Sequence, residues 1–218
     1  GFDVMYGQMS KADIDIWNSH TWPDGSEFGT RGWFAEAALN YKLDWGTPGI
    51  FGWYASGDDL DDLEDGWAGR MPVVGIDDGF TPTSFGFPGS YSGITSNGVV
   101  TYTGIGTWGL GLQIADMSFI QDLSHTIRVA YYQGTNDHKI IRDSGGFDVV
   151  PHSAGESIYL TDKDHVWEVN FDHQYKIYEN LTAVLELGYI NLNLDDDTWA
   201  TDKTDDAWKA QVIFRYQF

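Results

Sequence analysis

The chain has 218 residues, with 33 Asp+Glu against 12 Lys+Arg, for a formal net charge of -21. An envelope this acidic repels phosphate and disfavours nucleic-acid binding. Cysteine is absent, which excludes disulfide frameworks and thiolate metal centres. No apolar run approaches the ~20 residues of a membrane-spanning helix, so any membrane span has to be built from strands.

In chain order, period-two alternation predicts about eight strands, over residues 2–9, 32–43, 49–57, 99–104 or 106–119, 125–134, 165–178, 182–194 and 207–218. Gly1, Phe2, Asp3 and Val4 already read as strand interior. That start is expected of a mature end left by cleavage, or of a piece of a longer chain; no leader is visible. In the second strand Trp33, Ala35, Ala37, Leu39, Tyr41 and Leu43 share a face opposite Glu36, Asn40 and Lys42. The sixth sets Trp167, Val169, Phe171 and Tyr175 against Glu168, Asn170, Asp172, Gln174 and Lys176. The last sets Trp208, Ala210, Val212, Phe214, Tyr216 and Phe218 against Lys209, Gln211, Arg215 and Gln217, with Ile213 breaking the pattern.

A soluble β-sandwich of this length would also alternate, so connection lengths decide. Links at 44–48, 120–124 and 179–181 are tight, whereas those at 10–31, 58–98, 135–164 and 195–206 are long. Short turns on one rim and long loops on the other are the habit of outer-membrane barrels, with turns periplasmic and loops extracellular. The 10 Trp, 12 Tyr and 12 Phe fit aromatic girdles at the two bilayer interfaces. The expected fold is therefore all-β, a single antiparallel up-and-down transmembrane barrel domain over residues 1–218 or part of one. A closing strand with a terminal aromatic resembles the signal by which the barrel assembly machinery recognises its clients.

Particular stretches carry a closer resemblance. Residues 41–59 (YKLDWGTPGIFGWYASGDD), 106–112 (GTWGLGL), 116–123 (DMSFIQDL), 178–181 (YENL) with 188–190 (GYI), and the closing strand resemble, in order, the homotrimeric outer-membrane porins of sulphate-reducing bacteria. Members of that family are substantially longer, and the likeness covers their C-terminal portion. It implies a passive diffusion channel for small hydrophilic solutes and ions, a homotrimer, a wall of about sixteen strands or more, and contact with outer-membrane lipid and lipopolysaccharide. It implies no cofactor. Were these eight strands the whole wall, they would close around an interior nearly filled by side chains, and a binding or envelope-anchoring role would replace the wide pore.

Register alone offers Glu36, Lys42, Arg128, Glu168, Asp172, Lys176, Glu186, Lys209 and Arg215 as pore-facing groups. Their mixed signs fit a transverse field across a channel, or equally a set of structural pairs; the net charge leans towards cation preference. Trp167, Tyr175, Trp208, Tyr216 and Phe218 are the expected lipid-facing girdle. The 58–98 connection, with Asp58, Asp59, Asp61, Asp62 and Arg70, is the candidate constriction; a solvated rim or a subunit contact is its plain alternative. Its clustered carboxylates also invite calcium, although the run departs from EF-hand spacing. No enzymatic constellation emerges. His20, His125, His138, His152, His165 and His173 lack helical metal spacing. In Asp164-His165 and Asp172-His173 the neighbours point to opposite faces of a strand, and Ser124-His125 or Ser153 with His152 offers residue types without geometry.

Overall fold

The computed structural model describes residues 1–13, 27–69, 71–72, 106–143, 160–200 and 206–218. They form a mostly antiparallel all-β structure: β1 (Phe2–Asp13), β2 (Glu27–Asn40), β3 (Thr47–Ala55), the two-residue β4 (Trp67–Ala68), β5 (Thr107–Ile120), β6 (Leu123–Gly134), β7 (His165–Tyr178), β8 (Leu181–Asn193) and β9 (Asp206–Tyr216). Short helices α1 (Leu60–Glu64), α2 (His138–Arg142) and α3 (Asp196–Trp199) lie in the long connections. Pairing follows chain order, β1-β2-β3-β5-β6-β7-β8-β9, with β4 parallel to β2 off the path. Such a meander is a single sheet, not the two packed sheets of a sandwich.

Among the described residues β1 pairs only with β2, and β9 only with β8. Among the described residues the sheet is open: the expected closure into a barrel is not seen there, neither as a full wall nor as the small eight-strand alternative. The short links fall on one rim, at residues 41–46, 121–122 and 179–180. Asp122 takes a positive φ of 60° in one of these turns, a conformation that Asp and Asn tolerate better than most residues. The predicted strands are recovered to within a few residues, with one exception at a site residue. β2 ends at Asn40 rather than at residue 43, because Tyr41 N–H bonds Pro48 O and Leu43 pairs with Gly46 in the turn. Lys42 therefore leaves the wall and sits exposed in that turn.

The acidic runs are explained locally. Asp59, Asp137 and Asp195 each cap a loop helix, their carboxylates accepting backbone N–H groups of α1, α2 and α3. Further acids, Asp61 and Asp62 in α1 and Asp196 and Asp197 in α3, occupy first turns, where N-terminal N–H groups favour negative charge.

The two faces of the sheet differ sharply. On one, a register row runs Leu39, Ile50, Leu112, Val129, Val169, Tyr189, Trp208 across seven strands, each of them exposed. The other face carries the buried residues, among them Phe34, Phe51, Trp53, Tyr132, Val166, Glu168, Asn170, Val184, Glu186 and Ile213.

Candidate functional site

The enclosed face of β6–β9 carries a dense patch of charge. Adjacent register rows there read Ala130–Glu168–Ile190, Arg128–Asn170–Gly188–Lys209 and Thr126–Asp172–Glu186–Gln211. Two-residue steps keep all of them on one side. Arg128 Nη1 donates to Asp172 Oδ2 at 2.5 Å. Glu168 accepts from Tyr132 Oη at 3.1 Å and from Asn170 Nδ2 at 2.8 Å. Lys209 faces the charges of Glu186, Glu168 and Asp172, with the side-chain-free Gly188 opposite it in the register. Three carboxylates and two cations thus share one patch. Glu168 and Glu186 are each 1% exposed; buried carboxylates at that depth require such partners.

Above this patch, towards the long loops, the enclosed face turns apolar and is capped. Phe51 and Trp53 of β3 lie over Gly111 and Gly109 of β5, so tightly that a Cβ on either glycine would meet ring carbons at 2.2 Å. Trp53 and Tyr132 rings are 5.8 Å apart. Ile141 of α2, Leu160, Leu194 and Trp199 of α3 join Phe51, Trp53, Tyr132, Val166 and Ile190 in one buried cluster.

Two buried polar side chains hold the cap in place. Asp164 accepts from Thr161 N and Oγ1 (2.7 Å each), Trp199 Nε1 (2.9 Å) and Asp195 N (2.8 Å). Asn136 accepts from Asp58 N at 2.9 Å and donates to Leu160 O at 2.7 Å and Gly106 O at 3.3 Å. Both are fully buried. At the surface of α2, Arg142 Nε donates to Asp143 Oδ1 at 2.8 Å, and that hydrogen bond holds the Asp143 carboxyl below its ordinary range.

The exposed face has its own order. Trp167, Tyr175, Trp208, Tyr216 and Phe218 all project there, each roughly half exposed or more. Tyr131 meets Trp108 edge-on at 5.7 Å and Trp167 at a tilt at 5.1 Å towards the loop rim; Tyr216 meets Phe218 at 5.0 Å near the turn rim. From Trp167 to Tyr175, as from Trp208 to Tyr216, the step along the strand is about 26 Å at ~3.3 Å per residue. Between these aromatics, β7, β8 and β9 place no Asp, Glu, Lys or Arg on this face.

Of the charged groups read from register, Glu36, Arg128, Glu168, Asp172, Lys176, Glu186, Lys209 and Arg215 lie on the enclosed side of their strands. Lys42 does not, as described above. The acids at the start of the 58–98 connection are occupied at the rim. Asp58 accepts from Gly69 N at 2.9 Å, Asp59 caps α1, Asp62 pairs with Arg31 at 3.0 Å, and Asp61 N–H is held by the Asp59 cap. Lys11 and Arg31 flank the Trp67 ring at 5.4 and 5.0 Å, fastening α1 and β4 beside β2. Beyond β4 the connection turns onto the enclosed face, where Met71 and Pro72 cover Gly7 of β1 at 2.8 Å from an added Cβ. Arg70 and residues 73–98 lie outside the described residues, as do His20, His152 and Ser153.

Three features escaped sequence reasoning. The cap is built from α2 and α3, and its signal was short apolar clusters around Ile141, Leu160 and Trp199 inside polar loops. His125 and His173, opposite each other on β6 and β7, meet Nδ1 to Nδ1 at 2.6 Å on the exposed face. Asp137, His138 and Asp162 converge on one point of the cap. Comparison with protein-family models, curated proteins and solved structures returns no match.

Proposed function

We propose that the chain forms part of the wall of an outer-membrane porin, a passive diffusion channel for small hydrophilic solutes and ions. One observation carries this reading: an apolar row exposed across seven adjacent strands, bordered by aromatics at both rims, on the opposite face from the charges. Exposed apolar surface of that extent on a water-soluble monomer is an aggregation liability, whereas lipid is its natural solvent. The spacing between rims fits as well, since ~26 Å along a strand tilted by ~40° spans roughly 20 Å of bilayer.

A membrane tolerates no free sheet edge, so β1 and β9 take partners in the working wall. The resemblance to the trimeric porins of sulphate-reducing bacteria supplies them as further strands of a longer chain, with trimerisation, outer-membrane lipid and lipopolysaccharide as surroundings, and the barrel assembly machinery as its route to the membrane. The capped cluster fills the interior beside β3, β6, β7 and β8. Water would then run past the enclosed faces of β2 and β9, where Glu36, Lys209 and Arg215 stand.

Single-channel recording of the native protein in planar bilayers tests the proposal, with intact mass measured on the same sample. Stable conductance steps in a protein well above 24.4 kDa are the expected result. A silent bilayer from correctly folded protein removes the pore and leaves an envelope-anchoring wall.

A further inference from the structure

We propose that Asp137, His138 and Asp162 bind one first-row divalent metal ion, which clips α2 to the 160–164 segment on the cap. This does not rest on the porin reading. His138 Nδ1 lies 2.8 Å from Asp162 Oδ1 and 3.5 Å from Asp137 Oδ1, and all three donor atoms fall within 4.8 Å of one another. Metal–ligand bonds of ~2.0–2.2 Å set neighbouring donors about 3.0–3.5 Å apart. Two of the three donor pairs already stand close to that arrangement.

The backbone beneath them is fixed independently of any ion. Asn136 and Thr161 form a parallel bridge, both are completely buried, and Asp162 N donates to Asn136 O at 2.8 Å. Asp137 and Asp162 each follow a bridge residue directly, so the pairing presents their carboxylates side by side. His138 comes next, its own N–H donating to Asp162 Oδ1 at 3.1 Å. Preorganisation of this kind removes most of the ordering cost of binding.

Donor chemistry selects the ion. Calcium and magnesium take oxygen ligands; one imidazole nitrogen with two carboxylates suits zinc and its first-row neighbours. Coordination is through neutral His138 by Nδ1, with its remaining proton on Nε2. From a neutral ring with its proton on Nδ1, that proton passes to Nε2 as the metal binds; from a ring protonated on both nitrogens, one proton goes to solvent, so affinity rises with pH. Asp137 Oδ1 keeps accepting from Lys139 N at 3.0 Å through its other lone pair. Lys139 Nζ, 3.5 Å from Asp137 Oδ2 and half exposed, is the local competitor and is free to swing into water. Water completes the coordination shell.

The test uses the full chain in detergent micelles, stripped with chelator and titrated with zinc chloride by calorimetry, then with cobalt for its visible absorption bands. We expect one zinc equivalent that H138A and D162N each weaken roughly tenfold or more, and that the H125A/H173A double variant retains. Heat-modified gel mobility checks that every variant is folded; D162N keeps the shape of its parent side chain should H138A fail. Unchanged zinc binding in folded H138A or D162N, transfer of the loss to H125A/H173A, or no saturable binding in the parent protein would each overturn the site.

Discussion

Replacing Val212 by Arg separates a lipid-facing wall from a water-facing one. Val212 lies at the centre of β9, opposite Leu185, with its side chain exposed. Trp208 and Tyr216 each stand about 13 Å away along the strand at ~3.3 Å per residue. An Arg there is too far from either rim to snorkel its guanidinium into water. At the bilayer midplane the substitution costs ~2–4 kcal/mol. On a face turned to water it falls within roughly 0.5 kcal/mol of neutral. Even the lower bound of ~2 kcal/mol is about a 30-fold change in the folding equilibrium. The matched control is Gln211→Arg, one residue away on the enclosed face and opposite Glu186, where a cation is neutral or mildly stabilising. Urea titration of vesicle-embedded protein, followed by tryptophan fluorescence, reads the difference directly. Equal midpoints and slopes for parent, V212R and Q211R would refute the assignment of this face to lipid.

Other substitutions address the interior. Gly109→Ala drives a methyl group into Trp53 and should cost ~1–3 kcal/mol by overpacking, seen as a lower urea midpoint; a parent-like midpoint means that the ring is not seated there. Asp164→Ala leaves the Trp199 indole N–H and the Thr161 and Asp195 amides without their acceptor, at ~1–3 kcal/mol for each buried donor. Limited proteolysis should then cut residues 160–164 and 194–200 while β7 and β8 stay protected, and an unaltered digestion pattern argues against the cap. Lys209→Gln removes a cation beside Glu186, Glu168 and Asp172, so the cation-to-anion permeability ratio should rise in a KCl gradient; an unmoved reversal potential places Lys209 away from the permeation path. Asp143, its carboxyl held low by Arg142, contributes only above the ordinary carboxylate range and loses that contribution as pH falls through the depressed value. Since both groups are solvent-exposed, D143N should melt like the parent at neutral pH, and a clear drop would mean that α2 depends on this pair.

The order and facing of the eight long strands were legible because a sheet with one apolar and one polar face writes its register into alternate residues. The run from His165 to Lys176 shows this well: every odd position is aromatic, aliphatic or His, every even one after Val166 is polar, and the structure keeps that phase up to Lys176, where the register shifts. Lys42 failed because alternation continued in the sequence past the point where the Leu43–Gly46 turn had already bent the chain. The cap was illegible for a different reason. Its residues have no period: Ile141 and Leu160 lie in the β6–β7 connection and Leu194 and Trp199 in the β8–β9 connection, and the hydrogen bonds of Asn136 and Asp164 tie the two together. Asp164 looked like half of an Asp-His pair, yet its four hydrogen bonds tie down loops and leave His165 on the strand beyond. The same holds for the acidic runs, where Asp59, Asp137 and Asp195 serve helix N-termini. An acidic chain of this kind spends its carboxylates first on its own backbone. On the proposed porin reading, net charge therefore says little about selectivity, which would belong to the few charges, Glu36, Lys209 and Arg215 among them, that face the enclosed side away from the cap.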